Sequence, residues 1–147
     1  MKCISLEKLI DEWAADSVIN QIEPGQEIIN TPKLHSKYVT QITAHSVSLE
    51  MKKLEYIRKE KLKIEYYSGR LSEAQLKELG WKPFQFILKT DIQKYIDSDE
   101  DLIELRKNMI SNKEAITLCN SIVKELNSRT FQLRAFMDWE RFIRGQN

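Results

Sequence analysis

Positive charge and aromatic side chains are concentrated in residues 51–70 of this sequence. The segment holds seven basic residues against three acidic ones, whereas the whole chain of 147 residues carries a formal net charge of only +1. Two adjacent tyrosines, Tyr66 and Tyr67, and then Gly69 follow the basic run. Cations neutralise phosphates, and flat rings stack on unpaired bases. The segment therefore predicts single-stranded nucleic acid as a partner.

Seven residues are the candidates for this contact. The basic side chains would bind phosphates and the tyrosines would stack on bases, so no base specificity is expected. The candidates are Arg58, Lys59, Lys61, Lys63, Tyr66, Tyr67 and Arg70. The alternative is a solvated helix face, held by intrahelical ion pairs such as Glu55–Lys59 and Glu60–Lys63, with one tyrosine packed under a bend.

The near-neutral total charge limits how such a patch can act. A protein that bound nucleic acid through its bulk charge would be more basic than this one. The patch must therefore act locally, or be multiplied by repetition of the subunit in an oligomer.

No motif for catalysis or for a cofactor accompanies the basic segment. The histidines, His35 and His45, and the cysteines, Cys3 and Cys119, lack the spacing of a metal site, a redox pair or a nucleophile. The four acidic residues within 97–101 lack the alternation and the glycine of a calcium loop, and favour a helix start. The sequence predicts no enzyme, no metal and no cofactor. A metal-dependent nuclease built on these carboxylates is the remaining catalytic alternative.

Long helices must position the patch, because the chain contains only four glycines and three prolines. There is no apolar run of bilayer length and no signal peptide, so a soluble, cytoplasmic protein is expected. The predicted fold is all-α and one domain, residues 1–147: an elongated antiparallel hairpin of two long helices with short N-terminal and elbow helices. The predicted segments are an N-terminal helix (5–20), a long basic helix (31–69), an elbow (72–96) and a C-terminal oligomerisation helix (98–145).

Local signals set these boundaries. Ser5 is an N-cap, and Thr31 followed by Pro32 predicts another helix start, since proline suits the first helical position. Gly69 is placed to end the basic helix, and residues 72–75 match a capping box. Residues 81–88, rich in aromatics and interrupted by proline, predict irregular or extended chain, with a short strand as the alternative.

Apolar seams at heptad-like spacing predict how the helices pair. The basic helix has a seam whose later members lie on a rotated face: Tyr38, Ile42, His45, Leu49, Met51, Leu54, Ile57 and Ile64. The C-terminal helix has a second seam, and its aromatic, arginine-rich end suits a subunit interface. The predicted oligomerisation residues are Val123, Leu126, Leu133, Phe136, Met137 and Trp139.

Several short motifs, taken in their order and spacing, carry a family resemblance. They are residues 11–13 (DEW), 64–70 (IEYYSGR), 87–92 (ILKTDI), 99–102 (DEDL), 125–130 (ELNSRT) and 138–140 (DWE). Together they span nearly the whole chain, which resembles the UvsY-type recombination mediators of tailed bacteriophages.

The resemblance implies a small helical protein that assembles into a ring, as a hexamer or heptamer, in the cytoplasm of the infected bacterial host. Such a ring binds single-stranded DNA and helps a RecA-like recombinase replace the single-strand-binding protein. The family's DNA contacts map onto Lys61 and Lys63, and the C-terminal helix carries oligomerisation. Some relatives are expected to have arginine in place of Lys63; lysine keeps the charge without the planar fork.

Two other readings of the same patch stay open. One is a helical coiled-coil adaptor or scaffold that does not bind nucleic acid, and the other is an architectural protein of double-stranded DNA or RNA. A salt-sensitive preference for single strands would exclude both, because phosphate contacts weaken steeply with salt.

Overall fold

A computed structural model describes residues 2–84 and 87–145, and confirms the all-α prediction: no strand occurs in these two ranges. The helices are α1 (Leu6–Asp16), α2 (Pro24–Tyr67), α3 (Glu73–Leu79), a 3₁₀ turn (Lys89–Asp91), α4 (Ile92–Asp97) and α5 (Glu100–Ile143). The strand alternative for residues 81–88 includes Gln85 and Phe86, which lie outside the described residues. None of the described helices is both long enough and apolar enough to span a membrane.

The contacts divide the chain into two compact units. The first unit contains residues 1–48 and 111–147, and the second contains residues 49–110. Both long helices contribute a part to each unit, and within each unit these parts run antiparallel. The predicted helical hairpin is therefore present in both units.

The first unit has the larger apolar core. It joins α1, the first part of α2 and the later part of α5 around Leu9, Tyr38, Ala115, Cys119, Ile122 and Leu126. Ser5 caps α1 as predicted, since its hydroxyl accepts a hydrogen bond from the backbone N–H of Lys8 at 3.3 Å. The seam predictions for Tyr38 and His45 hold here, because both are buried, and Cys119 is buried as well.

The start of α2 differs from the prediction. The helix begins at Pro24, which occupies its first turn, rather than at Thr31. Thr31 is not a cap: it lies inside the helix, and its hydroxyl donates to the carbonyl of Glu27 at 2.9 Å. Pro32 therefore lies in the helix interior, where its missing N–H removes one backbone hydrogen bond. Pro24 followed by Gly25 is typical of a turn that opens a polar connection through Asn30, and this expectation is wrong, because these residues form the first turns of α2.

The second unit contains the end of α2, α3, α4 and the start of α5. Its apolar core is small, with Leu49, Ile96, Leu102 and Leu105 buried. The predicted capping box of α3 is present between Ser72 and Gln75.

Glycines end two helices of this unit in the left-handed conformation. Gly69 follows α2 and Gly80 follows α3, each with φ of 70°. The N–H of Arg70 then donates to the carbonyl of Glu65 at 3.0 Å, which fixes the chain as it leaves α2. The stop predicted at Gly69 is confirmed.

Replacing Pro32 by alanine should stabilise the protein by about 1–3 kcal/mol, because an interior proline is the least favourable helix residue. The side chain is exposed, so little packing is removed. Urea unfolding followed by circular dichroism measures the change. Pro24→Ala is the matched control and should have almost no effect, because proline is tolerated in the first turn. A loss of stability in Pro32→Ala would contradict this account.

Candidate nucleic-acid interface

The predicted DNA-binding residues lie on two opposite faces of α2. At about 100° per residue, Arg58 and Lys61 share the outward face, whereas Lys63 points to the side that packs on α5. Arg58, Lys61 and Arg70 are exposed, whereas Lys63 is 7% exposed. The sequence shows the charge of this segment but not which members of it reach solvent.

Lys63 is held by two carboxylates and an aromatic ring of the same unit. Its Nζ lies 2.9 Å from Oδ2 of Asp101 and 3.1 Å from Oδ2 of Asp99. The same nitrogen lies 4.2 Å from the centroid of the Trp81 ring, a cation–π distance. The pair Glu60–Lys63, expected for a solvated face, is therefore wrong: the partners of Lys63 are on α5 and just before it.

Asp99 is the centre of this network. It is 5% exposed, and its Oδ1 accepts the N–H of Leu102 at 3.1 Å, which caps α5. Its Oδ2 accepts from the hydroxyl of Tyr67 and pairs with Lys63. The prediction that this acidic cluster marks a helix start is confirmed for Asp99.

The network shifts the pKa values of its members. Burial acts to raise the pKa of Asp99, but the hydrogen bonds from Tyr67, Leu102 and Lys63 outweigh burial and hold that pKa below its ordinary value. Burial and the hydrogen bond to Asp99 raise the pKa of Tyr67. For Lys63, burial acts to lower the pKa, whereas Asp101 and Asp99 raise it above its ordinary value. All three shifts stabilise the observed charge states.

The two tyrosines belong to an aromatic cluster rather than standing free. Ring centroids 5.0–5.5 Å apart connect Tyr66, Tyr67, Trp81, Phe84 and Tyr95. The hydroxyl of Tyr66 also donates to the carbonyl of Lys82 at 2.7 Å. The sequence predicts that one of the two tyrosines packs under the elbow, whereas both rings contact the cluster and both are partly buried. An edge of each ring remains partly accessible.

An open hollow of about 510 Å³ borders this cluster. Asp99, Glu100 and Asp101 line it together with the aromatic residues. Three carboxylates against the single ammonium of Lys63 make the hollow unfavourable for phosphate. Phosphates are therefore expected on the outward face of α2.

The outward face of α2 and the chain just after the helix retain unneutralised cations. Within the described ranges, no carboxylate lies within ion-pair distance of Arg58, Lys61 or Arg70. Lys59 is partly exposed, with its Nζ 6.0 Å from the Trp81 ring. The predicted pair Glu55–Lys59 is replaced by Lys52–Glu55 at 2.9 Å, and a second pair joins Lys53 to Glu50 at 2.7 Å.

Large apolar side chains flank these free cations. We predicted that the rotated part of the α2 seam would be an internal contact. Its members are instead exposed: Met51 65%, Leu54 58%, Ile57 61% and Ile64 40%. The helical angle explains the difference, because these residues point away from Lys63, which packs on α5.

The predicted oligomerisation residues also divide by exposure. Leu126 and Leu133 are each 1% exposed and belong to the interior of the monomer, whereas Val123, Phe136 and Met137 are partly buried. Trp139 is 58% exposed, and its ring stacks on Phe142 with a centroid distance of 5.8 Å. Exposed Phe131 lies on the same helical face, at a spacing of eight residues from Trp139. Phe131, Trp139 and Phe142 are exposed apolar residues of this part of α5, and we call them the C-terminal stripe.

The described residues hold no group of three or more histidine, cysteine, aspartate or glutamate side chains placed to bind a metal. His45 is buried, with Nδ1 2.8 Å from Oδ1 of Asn112 and Nε2 2.9 Å from the carbonyl of Ile4. The predictions of no enzyme and no cofactor stay predictions.

Comparisons with known proteins agree with this architecture. The family model described as "Recombination, repair and ssDNA binding protein UvsY" matches residues 12–146. Crystal structures of the bacteriophage T4 recombination mediator protein UvsY match at 18–19% identity. One of them covers 95% of this chain and 97% of its own with a TM-score of 0.76, and another covers 92% and 98% with the same score. At this identity the structures establish the fold alone. No curated protein sequence matches the chain.

Acid should weaken the fold through Asp99. A carboxyl with a depressed pKa contributes stability above its ordinary pKa of about 3.9, and this contribution disappears as pH falls through the folded-state value. In Asp99→Asn, which can still cap α5, the stability deficit relative to the wild type should therefore shrink below pH about 4. Thermal unfolding followed by circular dichroism from neutral pH to acid measures this.

Glu104→Gln, which changes an exposed acid of the same helix, is the control and should keep the acid response of the wild type. If the wild type and Asp99→Asn lose the same stability between neutral pH and acid, Asp99 is not the cause of the acid sensitivity.

Proposed function

We propose that this chain, which belongs to the UvsY family, is a recombination mediator that binds single-stranded DNA and promotes loading of a RecA-like recombinase in exchange for single-strand-binding protein. Family membership supports a role in recombination and repair with single-stranded DNA. The observation that supports the finer proposal is a set of exposed cations: Arg58 and Lys61 on the outward face of α2, opposite the face that folds the protein, and Arg70 just after the helix.

Arg58, Lys61 and Arg70 are the proposed phosphate contacts, and Lys59 is a peripheral one. Binding is favourable when a protein cation neutralises a phosphate and releases its counterions, which requires a cation that has no carboxylate partner. These three side chains meet that requirement. They carry no base information, so binding is independent of sequence. Lys63 leaves the predicted set, because its ammonium is occupied by Asp99 and Asp101.

Unstacked bases need apolar or aromatic surface close to those cations. Leu54, Ile57 and Ile64 provide exposed apolar area on the same side of α2. Tyr66 and Tyr67 lie within the aromatic cluster, and we propose that they support the surface and contribute only their accessible edges. A strand would thus lie along the outward face with phosphates on the cations and bases on the apolar residues.

Self-association would multiply this small patch. Two or three free cations per subunit give weak binding, and a homo-oligomer that repeats them along one strand gains avidity. The C-terminal stripe of Phe131, Trp139 and Phe142 is the proposed contact between subunits, since an exposed apolar stripe of this kind marks an interface. We propose a ring of such subunits, which would present an ordered strand to the recombinase.

The exposed apolar face of α2 also suits a second candidate, a helical adaptor that binds protein rather than DNA. An adaptor would need the apolar residues but not the free cations. The two functions therefore differ in how they respond to removal of Arg58 and Lys61.

Arg58→Ala combined with Lys61→Ala should weaken binding to single-stranded DNA and reduce its salt dependence. Removing one phosphate contact should lower the slope of log K against log salt by about 0.7, so the pair should lower it by about 1.4. Fluorescence anisotropy of labelled oligo-dT at several salt concentrations, with a duplex of equal length, gives both quantities. Lys77→Ala with Lys94→Ala removes the same charge from exposed sites of the same unit and should have little effect. If the wild type fails to bind at low salt while folded, the adaptor replaces the mediator.

Trp139→Ala combined with Phe142→Ala should shift assembly toward smaller species with the helical content unchanged. Each large apolar side chain removed from an interface centre costs about 1–3 kcal/mol, so the half-assembly concentration should rise at least about tenfold. Sedimentation equilibrium measures it. The matched variant Leu54→Ala with Ile57→Ala removes similar apolar area from α2. Disassembly by that variant alone would move the subunit contact to α2.

A further inference from the structure

We infer that Lys63 is a positioning residue rather than a phosphate contact: it clamps Trp81 and Asp99, and through Trp81 it sets the position of Lys59 beside the outward cations. The inference rests on the proposed single-stranded DNA binding for its functional effect. The structural role of Lys63 within the fold does not depend on DNA binding.

The ammonium of Lys63 already has partners on all sides. A phosphate could contact it only by displacing one of them. Its side chain is 9% exposed, and Asp99 and Asp101 both contact the ammonium within 3.1 Å. A phosphate approaching it would also meet Glu100 in the same hollow. Three carboxylates so close together repel a phosphate even in an open hollow, where water weakens the repulsion without cancelling it. Direct contact with DNA is therefore unfavourable at this lysine, although the sequence places it in the middle of the basic run.

The contacts of Lys63 join three segments that are distant in sequence. It lies on α2, Trp81 follows the glycine that ends α3, and Asp99 and Asp101 bracket the start of α5. The Trp81 ring contacts Tyr66 edge-on at 5.0 Å and lies 6.0 Å from Nζ of Lys59. Lys63 thus fixes a ring against which a proposed DNA contact rests.

The charge of Asp99 makes the inference testable. Removing a negative charge near a DNA-binding surface should tighten binding if only electrostatics matter. If Asp99 acts by holding Lys63, its removal should weaken binding instead. Asparagine keeps the cap on Leu102, so Asp99→Asn removes the ion pair while leaving the helix start intact.

The experiment compares the wild type with Lys63→Met, Lys63→Arg, Asp99→Asn and Lys61→Ala in oligo-dT binding at several salt concentrations. Lys63→Met and Asp99→Asn should each weaken binding about three- to tenfold, with a smaller drop in the salt slope than the loss of a whole phosphate contact gives, because Lys59 is displaced but not removed. Lys63→Arg should bind with about the affinity of the wild type, since a guanidinium can also pair with carboxylates and stack on an indole. Lys61→Ala should instead lower the slope by about 0.7.

A slope lowered in Lys63→Met as much as in Lys61→Ala, together with tighter binding by Asp99→Asn, would overturn the inference and make Lys63 a phosphate contact. Unchanged affinity in both variants would also overturn it.

Hydrogen exchange of the same variants separates this inference from the proposed function. Amides of residues 76–84 and 92–102 should exchange faster in Lys63→Met than in Lys61→Ala, because the clamp holds those segments. Equal exchange in the two variants would refute the clamp. A wild type that does not bind DNA would refute the proposed function, and the exchange data would still decide the role of Lys63.

Discussion

The ion pairs of Lys63 with Asp99 and Asp101 impose the strictest constraint on the second unit. Burying the charges of Lys63 and Asp99 costs solvation that their attraction barely recovers, so this pair contributes more to uniqueness than to stability, whereas Asp101 stays half exposed. Only one register of α2 against α5 puts Lys63 between the carboxylates while Tyr67 reaches Asp99. A slip of one turn would move α2 by about 5.4 Å and leave buried charges unpaired, at a cost of about 3–5 kcal/mol. In a unit with a small apolar core, that penalty selects the register.

The first unit fixes its register with polar groups set in a larger core. His45 meets Asn112 across the two long helices, and Asn112 also donates to the hydroxyl of Ser48 at 3.2 Å. Arg129 is 2% exposed and donates to the carbonyls of Asp16 and Ser17 at 3.0 and 3.1 Å. It satisfies the end of α1, whose last turn has no basic residue of its own. Apolar seams alone would allow these helices to pair in more than one register, because similar contacts between aliphatic side chains recur at every turn.

Local signals were sufficient for most of the fold and insufficient for the site. The cap at Ser5, the box at Ser72 and the stop at Gly69 act within a few residues, so the sequence predicts them. The exposure of a lysine depends on partners far along the chain, as the 32 residues between Tyr67 and Asp99 illustrate. A single sequence does not distinguish a cation that is paired with a carboxylate from one that is not.

The two faces of α2 explain how a chain of nearly zero net charge can present a cationic surface. Acids from the start of α5 pair with the inward Lys63, and they are not available to neutralise Arg58 and Lys61 on the opposite face. Other ion pairs, such as Lys53–Glu50 and Arg144–Glu140, join exposed side chains, so only part of the charge balance is achieved inside the fold. The outward face of α2 therefore keeps a positive electrostatic potential. Each subunit nevertheless offers only a few free cations, too few for tight binding of a nucleic acid by counterion release alone. An exposed stripe such as that of Trp139 and Phe142 makes sense in such a molecule, because repetition of the subunit is the physical means left to strengthen the contact.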